Sequence, residues 1–468
     1  MTFQANALPP TAELARAIAS GEISAAQAVE SSIARIDGTD GQLNAWTHKA
    51  YARARAEAAA VDAKRLRGEA LPALAGVPYA VKNLYDIEGE VTLAGSKVNR
   101  LNPPATSDAF LVQRMKAAGA VLVGALNMDE YAYGFTTENT HYGPCHNPHD
   151  LTRSAGGSSG GCGAAVAAGQ VPLALGSDTN GSIRVPASFC GIWGLKPTFG
   201  RLSRRGTFPF VHGIDHLGPF ADSLEGLALA YDVLQGPDSL DPGCKATALQ
   251  PAWPSLKQGI SGLRIGILGG YFEDFATPPA REVVHAAARL LGAQESVAWP
   301  DAALARAAAF ITTSCEGGAV HLDNLRTQAD DFDPLIVDRL IAGAIQPVAW
   351  YLRAQRFRRV YRTKVNALFQ KWDILLSAAT PVVAPLIGTE TLNINGQILP
   401  CRPSIGLLTQ PISFAGCPVV AAPMWPSDTN GLPIAVQVIA APWREDLALR
   451  VAMVLRQSGL AHLKEVAL

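Results

Sequence analysis

The sequence predicts an α/β protein with a large mixed, mostly parallel β-sheet sandwiched between helices, forming a single domain over residues 1–468. From residue 74 onward, short runs rich in β-branched residues alternate with segments of helical periodicity, an order typical of sheets with helices on their faces. The chain is also apolar, with 48% hydrophobic and 17% charged residues. Burying a large core is therefore within its reach.

Residues 1–70 are predicted to be helical and to pack outside this core. Ser24 and Gln27 have the form of a capping box, in which each side chain accepts a hydrogen bond from the other residue's backbone at a helix start. A second helix is expected at residues 50–66, because this stretch is rich in Ala and Arg and is followed by Gly68.

The rest of the chain divides into a catalytic region at residues 71–235, a surface excursion at residues 236–262 that is rich in Pro, Ser and Gly, and the remaining core at residues 263–468. The strands expected in these regions lie at 77–81, 121–124, 172–176, 263–268, 373–378, 419–423 and 433–439. The expected helices follow Ser107, Ser159 and Ser182, begin at Thr277-Pro278, and span 350–369 and 444–457, with a hairpin at Asn395-Gly396.

Charge and cysteine content exclude several classes of protein. The net charge of −1 provides no general field for binding nucleic acid or a membrane surface. Seven cysteines without a C-x-x-C pair indicate reduced thiols rather than a disulfide framework or a zinc ribbon. The N-terminus lacks the apolar run of a secretory signal. These observations predict a cytoplasmic location and no membrane segment.

Three segments in fixed order carry the chemical signal. Residues 76–83 contain Lys82 at the end of an apolar run, residues 156–161 read Gly-Gly-Ser-Ser-Gly-Gly, and residues 176–184 place Thr, Asn and Gly directly before Ser182. Burial favours the neutral form of a lysine, and glycine allows backbone N–H groups to approach a developing oxyanion closely. The pattern indicates a serine nucleophile and its base.

The order and spacing of these segments resemble the amidase signature family, whose members cleave amide bonds with a Ser–Ser–Lys triad. Ser182 lies 24 residues after Ser158, and Lys82 lies 76 residues before Ser158. Residues 127–134, 137–139 and 194–198 also match family segments, so the resemblance covers nearly the whole chain. Residues 74–205 look like the catalytic subunits of biuret and carboxybiuret hydrolases, relatives of the A subunit of glutamyl-tRNA amidotransferase.

By this resemblance, Ser182 is the nucleophile, Ser158 is the bridging serine after a cis peptide bond, and Lys82 is the base. The resemblance places the oxyanion hole on the backbone N–H groups of Thr179, Asn180, Gly181 and Ser182. Tyr133 is expected to line the acyl pocket. Neither a metal nor an organic cofactor is implied.

Two positions bear on the substrate. Arg339, in an Arg-x-x-x-Gly stretch, resembles the arginine that holds the glutamine carboxylate in the amidotransferase A subunits, and a guanidinium suits a carboxylate because two parallel bonds form. Gly406 stands where those subunits carry an acidic residue for the glutamine ammonium group. The pattern favours carboxybiuret or biuret over glutamine. The resemblance also implies a small accessory subunit like the amidotransferase C subunits, within an oligomer.

Several alternatives remain open. Another small amide such as oxamate could be the substrate, or the chain could supply ammonia as an amidotransferase A-type subunit. Residues 156–160 also satisfy the G-x-S-x-G elbow of α/β-hydrolases, which would make Ser158 the nucleophile. Both Gly-Ser runs could instead be helix N-caps.

Other polar groups have competing interpretations. Arg339 could form a surface ion pair with Asp338 or Asp333. Three further groups have a weaker signal. His141, His146 and His149 are possible metal ligands. A basic helix contains Arg353, Arg356, Arg358, Arg359 and Arg362, and a family-like segment contains His212, Asp215 and His216.

Overall fold

A single 11-stranded sheet runs through the protein, whose structure is a computed structural model that describes residues 8–468. In chain order, its strands are β1 Trp46–Lys49, β2 Pro78–Lys82, β3 Val121–Leu126, β4 Leu173–Asp178, β5 Trp193–Lys196, β6 His216–Ala221, β7 Ile265–Leu268, β8 Ser296–Val297, β9 Ile374–Ala378, β10 Val419–Met424 and β11 Ile434–Ala440. Across the sheet the order is β1-β3-β2-β4-β6-β5-β10-β11-β9-β7-β8.

The sheet is mixed, as predicted, but the expectation that it would be mostly parallel is wrong. Only four of the ten neighbouring pairs are parallel, and six are antiparallel. A parallel neighbour requires a long crossover connection, whereas antiparallel strands can be joined by a short loop. The β10–β11 pair uses such a short connection, and alternation of strand and helix patterns does not reveal which connections cross over.

The helices cover both faces of the sheet. Their bounds are α1 Thr11–Ser20, α2 Ala25–Leu43, α3 Tyr51–Leu66, α4 Phe110–Ala117, α5 Gly160–Ala167, α6 Arg184–Cys190, α7 Leu224–Leu234, α8 Tyr271–Asp274, α9 Pro278–Leu291, α10 Ala302–Val320, α11 Leu322–Gln328, α12 Val337–Ala344, α13 Val348–Leu368, α14 Cys401–Ser404, α15 Gln410–Ala415 and α16 Glu445–Gln457. Alternate residues of one strand enter different apolar clusters: Tyr79 and Val81 pack in one, and Ala80 packs in the other. Because successive side chains of a strand point to opposite faces of the sheet, this strand contributes to two apolar cores.

The N-terminal helices match their prediction, and one strand was not expected there. Ser24 Oγ accepts a hydrogen bond from Gln27 N at 3.0 Å, and Gln27 Oε1 accepts one from Ser24 N at 2.8 Å, so the predicted capping box is present. However, β1 pairs with β3 at the edge of the main sheet. This part of the chain therefore contributes to the sheet as well as covering it.

The stretch at residues 236–262 is largely exposed and contains one 3₁₀ turn, Trp253–Ser255. Its buried carboxylates anchor it to the catalytic region, since Asp238 pairs with Arg205 at 2.8 Å and Asp241 with Arg204 at 3.0 Å. All seven cysteines are free thiols. None of the helices in the described part of the chain combines the length and apolar character needed to cross a lipid bilayer.

Candidate active site

Lys82 lies at the end of β2 and is fully buried. Its Nζ donates to Ser158 Oγ at 2.6 Å and to Ser177 Oγ at 2.8 Å. Burial lowers the pKa of Lys82 to about 8, although nearby negative groups oppose this shift. A substantial fraction of this lysine is therefore neutral near neutral pH, and its lone pair can accept a proton through Ser158.

Ser158 follows a cis peptide bond between Gly157 and Ser158, as the resemblance implies. A Cβ at Gly157 would lie 2.6 Å from the backbone nitrogen of Thr136 and would also meet the carboxylate of Asp129. Only glycine fits this close approach. The Asp129 backbone N–H donates to the Ser158 carbonyl at 3.3 Å, and this hydrogen bond helps to fix the backbone at Ser158.

Ser182 lies in the loop between β4 and α6, and a buried ion pair shapes this loop. The Asp178 carboxylate accepts hydrogen bonds from Arg184 Nε at 2.9 Å and from Ile183 N at 3.2 Å. Burial alone would raise the pKa of Asp178, but Arg184 outweighs it and holds that pKa well below its usual range. The pair fixes the backbone on both sides of Ser182.

The backbone between Asp178 and Ile183 leaves a set of donors free. Within residues 8–468, the N–H groups of residues 179–182 have no hydrogen-bond partner. Gly181 has a φ of +147°, a conformation that L side chains rarely adopt. The Thr179 hydroxyl donates to Asp215 at 2.6 Å, which ties the loop to the segment before β6. Unpaired N–H groups beside a serine are what an oxyanion hole requires.

Two cavities that share lining residues lie near this loop. A small inner cavity of about 20 Å³ is lined by Thr179, Asn180 and Ser182 together with Tyr133 and Arg339. An outer cavity of about 450 Å³ shares Tyr133 and Arg339 with it, and no acidic residue lines it within the described structure. Ser182, the predicted oxyanion-hole residues Thr179 and Asn180, and the predicted substrate-binding residues Tyr133 and Arg339 thus line one space, whereas Lys82 and Ser158 are not part of its lining.

Arg339 belongs to α12 and is half-buried. Its guanidinium carbon lies 3.9 Å from the centre of the Tyr133 ring, a cation–π contact, and it forms no salt bridge with any residue that the structure describes. The alternative of an ion pair with Asp338 or Asp333 is therefore wrong. The Asp333 carboxylate instead accepts the backbone N–H groups of Thr140 and Leu335.

Gly406 faces the ring of Phe135. A Cβ at position 406 would lie 2.5 Å from Phe135 Cζ, and a Cβ at Gly181 would lie 3.2 Å from the same ring. The ring therefore fills the space that an acidic side chain at position 406 would need. The packing of Phe135 against Gly406 therefore leaves no room at this position for an acidic side chain that could bind an ammonium ion.

The alternative interpretations of the histidines and of the glycine-rich elbow are not supported. His141 contacts Glu130 at 3.1 Å, His146 contacts the Leu151 carbonyl at 2.6 Å, and His149 contacts the Cys190 carbonyl at 3.0 Å. The histidines thus have separate partners, and no group of three His, Cys, Asp or Glu side chains suited to a metal occurs in the described range. Ser158 Oγ accepts a hydrogen bond from Lys82, whereas the elbow interpretation requires a histidine as the base.

The basic run on α13 divides into two faces. Arg353, Arg356, Arg359 and Arg362 are exposed, whereas Arg358 is buried. Arg358 Nε donates to the Phe414 carbonyl at 3.0 Å, and burial lowers the pKa of Arg358 to about 10. The helix therefore has a solvated face with four arginines and a packed face that contains Arg358.

The family-like segment with two histidines is split between surface and core. His212 is exposed, whereas His216 is buried and its Nδ1 donates to the Asp178 carbonyl at 3.0 Å. His216 therefore supports the start of the Ser182 loop from β6.

Sequence reasoning missed three residues around the site. Ser177 gives Lys82 its second acceptor, and Asp178 holds the Ser182 loop. Arg402 lines the outer cavity and pairs with Asp129 at 3.3 Å. Ser177 and Asp178 lie inside the third glycine-rich segment, directly before the predicted oxyanion-hole residues.

Comparison with known proteins gives a consistent result. A family profile described as Amidase matches residues 27–449. The chain is 68% identical over 454 residues to AtzE of Pseudomonas sp. (strain ADP), a subunit of 1-carboxybiuret hydrolase, covering 97% of this chain and 99% of that protein. It is 36% identical over 468 residues to the A subunit of glutamyl-tRNA(Gln) amidotransferase from Moorella thermoacetica, covering 94% of each.

Solved structures agree with these sequence matches. One, described as a vestigial protein complex that reveals the evolutionary origins of an s-triazine catabolic enzyme, superposes with a TM-score of 0.97 at 68% identity over 97% of this chain and 100% of that one. The A subunit of glutamyl-tRNA(Gln) amidotransferase from Thermotoga maritima superposes with a TM-score of 0.79 at 27% identity over 95% of each chain.

Proposed function

Because the chain belongs to the amidase family, an amide-hydrolysing class of enzymes, we propose that it releases ammonia from a small urea-type amide, with carboxybiuret as the preferred substrate and biuret as a second one. One observation carries the mechanism: a buried lysine with a lowered pKa donates to a serine at 2.6 Å, beside a cavity that contains a second serine and an arginine. The relative at 68% identity carries the substrate assignment.

In the proposed mechanism, Ser182 attacks the carbonyl carbon of the scissile amide. Its proton passes to Ser158 Oγ while the Ser158 proton passes to neutral Lys82 Nζ. The oxygen of the tetrahedral intermediate receives hydrogen bonds from the backbone N–H groups of residues 179–182, which have no other partner in the described structure. The proton then returns through Ser158 to the departing nitrogen, ammonia leaves, and water hydrolyses the acyl-enzyme by the same relay.

Ser182 Oγ makes no hydrogen bond to any described residue, so the mechanism requires a hydrogen bond between Ser182 and Ser158 to form when a substrate occupies the site. Catalytic hydrogen bonds commonly form fully only in the substrate complex. Both serines are almost completely buried, at 2% and 0% exposure, and an amide entering the inner cavity excludes solvent from the relay. The weaker dielectric screening that follows strengthens each contact to the developing charge.

We propose that Arg339 binds the carboxylate of carboxybiuret while the Tyr133 ring supports the guanidinium. Arg339 is well suited to this because it has no acidic partner in the described structure and lines both cavities. The acyl portion of the substrate would extend from Ser182 in the inner cavity toward Arg339. A planar guanidinium can form two parallel bonds with a carboxylate there.

We propose that a small accessory subunit resembling amidotransferase C subunits binds this chain within an oligomer, since one relative is a subunit by name and one structural neighbour is described as a complex. The protein is proposed to act in the cytoplasm, which accords with seven free thiols. Residues 1–468 are proposed to form one domain, because the strands of a single sheet come from both halves of the chain.

A panel assay of ammonia release tests this function. The purified protein, alone and with a co-expressed partner, is incubated with carboxybiuret, biuret, oxamate, malonamate and glutamine. The proposal predicts the largest kcat/KM for carboxybiuret and no useful turnover of glutamine. A larger kcat/KM for oxamate would replace the substrate while leaving the mechanism standing.

The second candidate is an amidotransferase component that supplies ammonia from glutamine, which the 36% identical relatives favour. Phe135 counts against it, because its ring occupies the space that an acidic residue at position 406 would need to hold the glutamine ammonium group. Copurification with tRNA together with glutamine-dependent ammonia transfer would establish this alternative.

A further inference from the structure

The side chain of Asn180 has a feature that its backbone role does not explain. It is only 7% exposed, and its Nδ2 donates to Thr313 Oγ1 at 2.9 Å. Its Oδ1 is buried and receives no hydrogen bond from any residue between 8 and 468. A buried amide oxygen without a donor is costly, and such groups in folded proteins usually have a partner.

This free acceptor lies where a substrate must bind. Asn180 precedes the proposed nucleophile by two residues, and Asn180 and Ser182 line the same inner cavity. Two neighbouring polar side chains in that lining already have partners, since Thr179 donates to Asp215 at 2.6 Å and Gln410 accepts from Arg306 at 2.9 Å. Asn180 Oδ1 is therefore available to a donor that the substrate brings.

Urea-type amides bring such a donor and alkyl amides do not. In biuret and its carboxylated form, the atom next to the scissile carbonyl on the acyl side is a nitrogen that bears a hydrogen. In an alkyl amide this position is a methylene group, which cannot donate. A site that contains a buried acceptor discriminates against a ligand that leaves the acceptor unpaired.

We propose that Asn180 Oδ1 accepts a hydrogen bond from the N–H group next to the scissile carbonyl, and that Asn180 thereby selects urea-type amides over alkyl amides. This inference rests on the proposed function and concerns the same site. The anchor on Thr313 of α10 orients the carboxamide with Oδ1 free, while Thr409 Oγ1 donates to the Asn180 backbone carbonyl at 2.6 Å and keeps the backbone in place.

Biuret and malonamide form a matched pair for the test, because they differ only in a central N–H group that malonamide replaces with a methylene. Binding of each to the Ser182→Ala variant, measured by isothermal titration calorimetry, removes the difference in their chemical reactivity. We expect biuret to bind about 5- to 10-fold tighter than malonamide, the usual effect of one neutral hydrogen bond. Adding Asn180→Ala should abolish that preference, mainly by weakening biuret.

Two further variants make the result decisive. Asn180→Leu removes the acceptor at nearly constant volume and should also abolish the preference, so it serves if circular dichroism shows that the alanine variant is unfolded. Thr313→Ser keeps the hydroxyl acceptor while deleting a methyl group from the cavity wall, and it should retain the preference. The inference is overturned if the Asn180 variants weaken both ligands equally, or if Thr313→Ser loses the preference to the same extent.

Failure of the inference and failure of the proposed function are distinguishable in this design. If the otherwise unaltered enzyme releases ammonia from carboxybiuret or biuret while Asn180→Leu leaves the ligand preference intact, the function stands and the role of Asn180 falls. If neither compound is hydrolysed and neither binds the Ser182→Ala variant, the proposed function itself fails.

Discussion

At the residue scale, the proposed role of Lys82 as the base makes the charge of this side chain decisive. A base must be neutral, and burial lowers the pKa of this lysine to about 8. Because the neutral fraction of a lysine grows as the pH rises through its pKa, we expect kcat/KM for biuret to increase from pH 6, to reach half its maximum near a pH of about 8, and to level off roughly one pH unit higher. A pH profile of ammonia release measures this. A profile that falls over the same range would contradict Lys82 as the base.

The two serines give the second prediction. Ser182→Ala should remove essentially all amide hydrolysis because it deletes the proposed nucleophile, and Ser158→Ala should cost several orders of magnitude because the relay acts as a unit. Ammonia release and thermal unfolding of each variant would be measured together, so that loss of activity is separated from loss of fold. If Ser182→Ala stayed active while Ser158→Ala did not, the G-x-S-x-G elbow would describe the site better.

Arg339 should discriminate between substrates by charge. Arg339→Ala removes a carboxylate-binding group, so we expect a loss of about 2 kcal/mol in transition-state stabilisation, roughly 30-fold in kcat/KM, for carboxybiuret. The loss should be much smaller for biuret, which lacks the carboxylate. Arg339→Lys should recover activity only in part, because an ammonium group cannot form two parallel bonds.

Arg353→Ala provides the matched control for Arg339. It removes the same charge from an exposed position on α13, and it should leave the ratio of the two kcat/KM values unchanged. Equal losses of Arg339→Ala on carboxybiuret and biuret would show instead that Arg339 supports the fold or a subunit contact.

Sequence alone could find the residues whose type is unusual for their setting, and it missed those whose role depends on distant partners. Lys82, Ser158 and Ser182 were visible because a lysine at the end of an apolar run and serines among glycines are chemically distinctive. Nothing local marks Ser177 as an acceptor for Lys82, since the two are 95 residues apart in the chain. The ring of Phe135 against Gly406 likewise depends on packing between remote segments.

At the element scale, the connection from β4 to α6 depends on the ion pair of Asp178 and Arg184, both fully buried. Arg184→Met would leave the Asp178 charge unpaired in the core, and we expect it to lower the free energy of unfolding by about 3–5 kcal/mol. Arg55→Met is the control, because Arg55 and Glu30 form an exposed pair with each side chain 52% accessible, and solvent screening should make its effect far smaller than that of Arg184→Met.

Guanidinium-induced unfolding followed by circular dichroism measures both variants. Equal destabilisation by Arg184→Met and Arg55→Met would contradict the structural role assigned to the buried pair. If Arg184→Met also lost activity at temperatures where it remained folded, Arg184 would be needed for the geometry of the Ser182 loop as well as for the stability of the protein.

Elements with strong local signals matched their predictions, including the seven expected strands, whereas other strands, among them the short β1, were missed. The capping box at Ser24 and the helix α9 after Thr277-Pro278 formed as expected, because their signals are local. The four-residue strand β1 escaped notice between two helices. Its assignment depends on pairing with β3, and a segment that short has too little periodicity to indicate a strand.

At the scale of the whole molecule, the proposed mechanism takes its nucleophile and its base from the protein's own side chains. Since the proposed chemistry uses only serines, a lysine and backbone N–H groups, we expect ammonia release to survive exhaustive dialysis against EDTA with less than about a twofold change. The measurement is kcat on biuret before and after chelation. Loss of activity that zinc restores would contradict the metal-free mechanism.

The long-range partners of Arg184 lie late in the chain and are therefore made late during its synthesis. Arg184 Nη1 donates to Gln437 Oε1 at 2.8 Å and to the Thr409 carbonyl at 3.2 Å. Similarly, β5 pairs early with β6 but gains its second neighbour only when β10 is made. Ribosomes build the N-terminal part first, so a nascent chain carries all three catalytic side chains long before their supports exist. Until then, the unpaired edge of β5 is open to wrong partners. The contact of Arg184 with Gln437 and the pairing of the second edge of β5 can therefore form only after the last two strands of the sheet have been synthesised.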